Sequence, residues 1–165
     1  MDFTLSTYKS LINSLKDNNY KFFTVEEYFS LIVCSSLDCP LVILRHDIDR
    51  TPENALKMAK LEHELGLKAT FYFRTIPQTF KPEIIKEIDD LGHEIGYHYE
   101  NMARCNGNYE MAIEDFRNNL DKLREISPVY TICMHGSPLS QYDNRDLWKV
   151  YDYRDYGIIG EPYLN

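Results

Sequence analysis

The spacing of hydrophobic residues along the chain alternates between the period of a helix and that of a strand. Apolar residues recur at helical intervals over 5–15 and 109–123. Runs typical of strands cover 41–50, 69–74, 93–99 and 130–135. Pro52 and Pro82 stand where two more helices are expected to begin, and Gly66 and Gly92 where they end. This alternation predicts parallel βαβ units, and therefore an α/β fold with a barrel-like or an open sheet.

Residues 1–40 predict a largely helical lead-in to a βα core over 41–165, and we expect both parts to form one domain. A short strand is expected at 20–23. Thr24 followed by Glu27 has the form of a capping box, which predicts the start of a second helix. Residues 157–163 predict a last strand at the other end of the chain.

The stretch LVILRHDIDR, at 41–50, is an apolar strand that ends in charged residues. Because side chains alternate between the faces of a strand, Asp47 and Asp49 point one way and His46 the other. Two carboxylates this near each other on one face of a strand repel unless a cation lies between them, or unless one acts as a base while the other binds a metal. A plainer interpretation is that Asp49 caps the next helix and Asp47 pairs with an arginine.

The other predicted strands also deliver polar groups at their carboxyl ends: Arg74, then His98 and Glu100, then His135. Parallel strands bring these ends to one rim. An aspartate, a histidine and one further ligand would suit Zn²⁺ or another divalent transition metal, with Asp47 beside it as a general base. Arg74 is expected to keep Asp47 ionised, or else to be an ordinary surface arginine. Gly96, on the same face as His98, predicts a close approach to the backbone there.

Composition narrows the range of partners. The chain has 165 residues, 44% of them hydrophobic, and a net charge of −8. An acidic protein without a basic surface is a poor nucleic-acid binder.

The sequence has neither a signal peptide nor an apolar run long enough to span a membrane, so we expect a cytoplasmic protein. The four cysteines, Cys34, Cys39, Cys105 and Cys133, form no CxxC pair and are expected to be free thiols.

Three segments carry a family resemblance: LRHDID at 44–49, GLKATFYF at 66–73 and LGHEIGYH at 91–98. Together they resemble the polysaccharide deacetylase superfamily (NodB-homology domain, carbohydrate esterase family 4), and most closely its RHDxD branch. The resemblance implies an incomplete or distorted (β/α) barrel. It also implies a metal-dependent hydrolase that cleaves a non-peptide carbon–nitrogen bond, with Asp47 as the base, Asp49 as a metal ligand and His98 as the first histidine of the family's HxxxH motif.

The chain departs from that family in three ways. Met102 stands where the second histidine of HxxxH belongs, His135 replaces the arginine of the third motif, and no histidine follows His135 to act as the general acid. The chain therefore resembles the first two-thirds of such a domain, either truncated or shortened. An incomplete barrel would leave a sheet edge that a second subunit could cover, so a homo-oligomer is one expectation.

The third metal ligand and the function both have alternatives. The ligand candidates are Glu100, Asn101 and His135, of which we choose His135; its plainer role would be a hydrogen bond to Asp47. We expect zinc, with cobalt or nickel as substitutes, and a carbohydrate or other small-molecule substrate. The alternative function is a catalytically inactive deacetylase-like domain that binds a ligand or partner. A Mg²⁺-dependent acid pair is disfavoured because histidine is a poor Mg²⁺ ligand.

Overall fold

The computed structural model describes residues 4–32 and 40–164. The strands within those ranges are β1 Lys21–Phe23, β2 Leu41–Ile43, β3 Arg45–Ile48, β4 Thr70–Phe73, β5 Glu94–Tyr99 and β6 Ile132–Met134. The helices are α1 Leu5–Asp17, α2 Val25–Ile32, α3 Pro52–Glu64, α4 Pro82–Asp90, α5 Asn101–Arg104 and α6 Tyr109–Arg124, followed by two 3-10 helices, Asn144–Lys149 and Tyr153–Tyr156. The predicted α/β alternation is confirmed.

The paired strands run parallel throughout. β1 pairs with β2, and β3, β4, β5 and β6 follow one another in a four-stranded sheet. Only Leu44 separates β2 from β3, and its carbonyl accepts a hydrogen bond from the Thr70 amide at 2.9 Å. One nearly continuous strand therefore serves both sheets. The strands curve into part of a (β/α) barrel, which confirms the predicted incomplete barrel.

Alternation along the strands separates two faces of the sheet. The convex face carries large apolar side chains that form the main core with the helices, among them Phe71, Phe73, Ile95, Tyr97, Tyr99 and Ile132 from the strands and Ala59, Ile85, Ile88, Phe116 and Leu120 from the helices. The concave face carries Ile43, Tyr72 and Cys133 in a separate cluster. Each strand thus has an apolar side for the helices and a mixed side for the barrel interior.

Helix α2 packs against the concave face. Its residues Val25 and Phe29 join the cluster of Ile43, Tyr72 and Cys133. The Val25 amide donates to Thr70 Oγ1 at 2.8 Å, and the Glu26 amide donates to Glu94 Oε2 at 2.9 Å. Side chains of the barrel interior thus satisfy amides that the first turn of a helix leaves without partners.

Local signals in the sequence set the helix ends. The Thr24 amide donates to Glu27 Oε2 at 2.9 Å and the Glu27 amide to Thr24 Oγ1 at 3.1 Å, which confirms the predicted capping box at the start of α2. Pro52 and Pro82 are the first residues of α3 and α4. Gly66 and Gly92 follow these helices with φ of 68° and 87°, a conformation that only glycine adopts readily.

The predicted strand at 157–163 is much shorter in the structure. A single parallel bridge joins Gly160 to Thr131. Beyond it, the Met134 amide donates to the Glu161 carboxylate at 3.0 Å instead of to a backbone carbonyl. Pro162, which has no amide hydrogen, follows directly, so the ladder cannot continue there.

Two further expectations concern cysteines and membranes. Cys105 and Cys133 are free thiols, as predicted, whereas Cys34 and Cys39 lie outside the described residues. Among the helices that the structure describes, none combines the length and the apolarity needed to cross a bilayer.

Candidate metal centre

Three predicted site residues, Asp49, His98 and His135, meet at the carboxyl ends of the parallel strands. Asp49 Oδ1 lies 3.5 Å from His98 Nε2 and 3.1 Å from His135 Nδ1. The two imidazole nitrogens are 3.3 Å apart. These three residues form one of two groups among the described residues whose ligand atoms lie close enough to hold a metal ion.

The fold holds each of the three residues by different means. Asp49 follows β3 directly, His98 lies inside β5, and His135 follows β6. The backbone of His135 is fixed on both sides, because its amide donates to the Tyr99 carbonyl at 2.8 Å and its carbonyl accepts from Asn144 Nδ2 at 2.7 Å. Asp49 does not cap α3, whose N-cap residue is Thr51.

The hydrogen bonds of His98 determine which of its nitrogens faces the centre. Its Nδ1 lies 2.9 Å from the carbonyl oxygen of Cys133, which can only accept, so Nδ1 carries the proton. The lone pair of Nε2 then points toward Asp49 and His135. Burial lowers the pKa of His98, which is 3% exposed, and this favours the neutral ring that a metal requires.

A count of protons shows why these residues fit a cation. His98 Nε2 and Asp49 Oδ1 can only accept, and His135 Nδ1 can donate to only one of them. At least one pair of facing lone pairs is left uncompensated, and a cation in the centre would satisfy all three atoms. Donors at the corners of a tetrahedron with bonds of about 2.0–2.2 Å lie about 3.3–3.6 Å apart, close to the spacing found here.

Asp47 lies beside this group, but its arginine partner differs from the predicted one. Arg45 Nη2 is 3.1 Å from Asp47 Oδ2 and also donates to the Tyr163 hydroxyl. The prediction that Arg74 pairs with Asp47 is therefore wrong. Arg45 is two residues from Asp47 on the same strand, so both side chains point to the same face. Arg45 therefore pairs with the carboxylate that we expected Arg74 to contact.

Arg74 instead links three strand ends. Its Nε and Nη2 pair with both carboxylate oxygens of Glu100, at 3.2 and 2.7 Å, and its Nη1 donates to the main-chain carbonyl of Asp49 at 3.3 Å. The Arg74–Glu100 pair is mostly buried, with 17% and 10% of the two side chains exposed. Arg74 thus contacts the backbone of a candidate metal ligand, and Glu100 is held by Arg74.

The remaining candidate positions point elsewhere. Asn101 Nδ2 donates to Asp115 at 2.7 Å, and Met102 is 2% exposed within the main hydrophobic core. Gly96 does leave room for a close approach, but the group that approaches is the Tyr72 ring, which a Cβ on Gly96 would meet at 2.2 Å. The glycine beside His98 is therefore explained by packing inside the barrel and not by a ligand.

The other two histidines have structural partners. His46 Nε2 lies 2.7 Å from Glu62, and the Tyr8 hydroxyl donates to the same carboxylate oxygen. His93 bridges the Ala69 amide and the Ala59 carbonyl, at 3.1 and 2.9 Å. Both histidines thus contact α3, away from Asp49.

The chain resembles solved structures in fold, although its sequence is far from theirs. No family model matches the sequence, and no curated protein matches it. The Streptococcus pyogenes deacetylase PplD, solved in complex with acetate, aligns with a TM-score of 0.62 at 16% identity, over 86% of this chain and 66% of PplD. IcaB from Ammonifex degensii aligns with a TM-score of 0.65 at 14% identity, over 91% of this chain and 76% of IcaB. This chain shares the fold of these proteins.

The sequence alone did not single out two residues that lie at the site. One is Arg45, and the other is Cys133, which belongs to the second group of potential ligands, with Asp47 and His98. Strand alternation was the available signal for both. Arg45 precedes Asp47 by two residues and Cys133 precedes His135 by two, so each shares a face with a residue already selected.

Proposed function

We propose that the protein is a metal-dependent hydrolase of the deacetylase type, which cleaves an acetamido carbon–nitrogen bond on a sugar or a related small molecule. The observation that carries the proposal is the meeting of Asp49, His98 and His135 beside Asp47. The motif resemblance to the polysaccharide deacetylase superfamily supports it. So does the fold shared with PplD, a deacetylase solved with acetate, the product that such a reaction releases.

Asp49, His98 and His135 would hold a divalent metal, for which we propose zinc, with cobalt or nickel as substitutes. One carboxylate and two imidazoles form a ligand set that zinc accepts, and three protein ligands are typical of catalytic zinc sites. When bound there, the ion would supply Lewis-acid polarisation of the amide carbonyl. Met102 needs no part in the set, because His135 provides the second imidazole.

Asp47 would act as the general base. Its Oδ2 is held by Arg45, so the carboxylate keeps a fixed orientation, and Oδ1 accepts the proton of the attacking water. The side chain of Asp47 is 27% exposed, which leaves room for water and substrate to reach it. Arg45 is thus a positioning residue for the base. Arg74 would position the metal ligand Asp49 through the hydrogen bond to its main-chain carbonyl.

The alternative is a deacetylase-like domain that binds its ligand without turnover. The observation that favours it is Met102, which occupies the position of the family's second histidine and lies in the hydrophobic core. This alternative predicts that the chain binds an N-acetylated sugar but releases no acetate, whether or not metal is present.

The deciding experiment compares Asp47→Asn with the parent protein, using an N-acetylated sugar oligomer as the probe and acetate release as the signal. We expect the rate to fall by about 10²–10⁴-fold while zinc binding persists, since proton transfer contributes about that much. Asp121→Asn, an exposed aspartate on α6, is the control and should leave both quantities unchanged. Acetate release that is equal in Asp47→Asn and the parent would overturn the role of Asp47. No release from the parent would favour the binding domain.

A further inference from the structure

A second group of potential ligands lies deeper in the barrel than the candidate metal centre and shares one residue with it. Asp47, His98 and Cys133 each offer one ligand atom, and these atoms all lie within 4.8 Å of one another. His98 and Cys133 are direct partners in the parallel ladder of β5 and β6. Cys133 is fully buried against Tyr72 on the concave face, whereas Asp47 reaches the solvent-accessible rim.

The two groups differ in the chemistry of their donors. The group at the rim offers one carboxylate and two imidazoles, and the inner group offers one carboxylate, one imidazole and one thiol. Thiolates select soft cations, whereas carboxylates and imidazoles also suit harder ones. The thiol therefore gives the inner group a preference for a thiophilic ion such as Cd²⁺ or Cu⁺, although zinc, the metal proposed for the rim, also accepts a thiolate ligand.

We propose that Asp47, His98 and Cys133 form an inner site for a soft, thiophilic cation, and that this site and the rim site cannot be filled together. The exclusion follows from His98. Its Nδ1 donates to the Cys133 carbonyl, so Nε2 holds the only lone pair of the ring, and one lone pair binds one ion. The inner site itself does not depend on the proposed function; the exclusion depends on the proposed rim site.

The inner site also bears on Asp47. A cation held there uses the carboxylate that we propose as the general base, so a thiophilic ion would remove both the base and a rim ligand. Cys133 Sγ donates to the Met134 carbonyl at 3.8 Å, so the thiol carries its proton until a cation displaces it. Binding then releases that proton to solvent as the sulfur–metal bond forms.

The test is a Cd²⁺ titration that follows the ultraviolet charge-transfer absorption of a cadmium–thiolate bond. The starting protein carries Cys34→Ser, Cys39→Ser and Cys105→Ser, so that Cys133 is the only thiol of the original four. We expect the band to saturate at one Cd²⁺ per chain. Cys133 is unsubstituted in this protein, so the absence of a band would by itself overturn the proposal.

Substitutions in the same background separate the inner site from the rim. Cys133→Ser should abolish the band, and Asp47→Asn should weaken Cd²⁺ binding by at least about 100-fold, since even loss of an outer-shell partner costs about 10–100-fold. His135→Ala and Asp49→Asn should leave both the band and the Cd²⁺ affinity unchanged, because neither His135 nor Asp49 belongs to the inner group. If the band weakens as much in His135→Ala as in Asp47→Asn, the thiol has joined the rim ligands and the inner site is wrong. Circular dichroism and melting temperature verify that each variant is folded.

Exclusion is tested by competition with Ni²⁺, an ion that imidazole ligands suit. With Ni²⁺ at about 100 times its dissociation constant, the apparent affinity for Cd²⁺ should fall about 100-fold. The competition should disappear in His135→Ala. Unchanged Cd²⁺ affinity in the Ni²⁺-loaded protein would overturn exclusion and leave the inner site standing. A protein that binds Cd²⁺ but no Ni²⁺ would count against the proposed rim site instead.

Discussion

The two ends of β5 carry polar residues on the same concave face, and their surroundings differ sharply. At the amino end, Glu94 is 8% exposed and accepts hydrogen bonds from the Glu26 amide at 2.9 Å, from Thr70 Oγ1 at 2.6 Å and from Thr131 Oγ1. At the carboxyl end, His98 faces Asp49 and His135 with too few protons to satisfy all three.

The difference separates a structural polar cluster from a candidate functional one. Around Glu94 every acceptor we describe has a donor, so the cluster needs nothing from outside the chain and ties α2 to the sheet. Around His98 acceptors outnumber donors within the chain, so the cluster has room for a partner from outside it, and a cation would satisfy all three ligand atoms. Burial alone would not have distinguished them, because Glu94 and His98 are about equally buried.

The largest effect is expected from removing one of the proposed metal ligands at the rim. Asp49→Asn and His135→Ala should each weaken zinc binding by at least about 100-fold, more than the loss of an outer-shell partner, because a direct ligand is removed. Isothermal titration of the metal-free protein with zinc measures this. Glu100→Ala, which removes only the partner of Arg74, should weaken binding less. If His135→Ala binds zinc as tightly as the parent, His135 is not a ligand.

At the other end of β5, Thr70→Val should destabilise the protein without changing its metal affinity. The substitution leaves the Val25 amide without an acceptor and Glu94 without one donor, and a buried group without its partner costs about 1–3 kcal/mol. Urea denaturation of the metal-free protein measures the change. Thr7→Val, at an exposed position of α1, is the matched control. A loss of zinc affinity comparable to that of Asp49→Asn would mean that the two ends are not independent.

A smaller effect on metal binding is expected from Arg74. Arg74→Met removes the contact with the Asp49 carbonyl and leaves Glu100 without its partner, so zinc affinity should fall by about 10-fold, in the range for outer-shell residues. Arg74→Lys should restore part of it. Arg104→Met, which removes a more exposed arginine paired with Asp115, is the control. Equal affinities in Arg74→Met and the parent would show that Asp49 is positioned without this contact.

The smallest effect concerns pH. Burial raises the pKa of Glu94 above its ordinary value of 4.5, although its hydrogen bonds oppose the shift. As pH rises from 4.5 toward the folded-state pKa, the unfolded chain loses this proton first, so stability falls by less than about 1.4 kcal/mol per pH unit, the limit for one proton. Glu94→Gln has no carboxyl group to titrate at this position. Denaturation of both proteins across this range should show the parent losing stability relative to Glu94→Gln, and parallel curves would contradict the shift.

Strand alternation accounts for most of what the sequence predicted about the site. Asp47 and Asp49 share the concave face with Arg45, and His46 lies on the opposite face, because the period of two is imposed by the backbone itself. The capping box and the prolines also allowed the starts of α2, α3 and α4 to be predicted, since these residues act within one helical turn of their own position.

Contacts between distant elements were less accessible from the sequence. Choosing Arg74 as the partner of Asp47 overlooked Glu100, which lies one strand away and binds the Nε and Nη2 groups of the guanidinium. The place of α2 on the concave face depends on hydrogen bonds to Thr70 and Glu94, and no local pattern marks these. The predicted strand after residue 157 failed because Glu161 and Pro162 end the ladder through side-chain and ring chemistry.

The attachment of α2 to the barrel interior has a consequence for the order of folding. The hydrogen bonds that hold its first turn span 45 and 68 residues of chain, to Thr70 and Glu94. On the ribosome α2 is made early, but the surface on which it packs is incomplete until β5 has been made. Closing such long loops is slow. The order of folding is therefore the reverse of the order of synthesis for this helix, and α2 is expected to dock late, onto strands that were made after it.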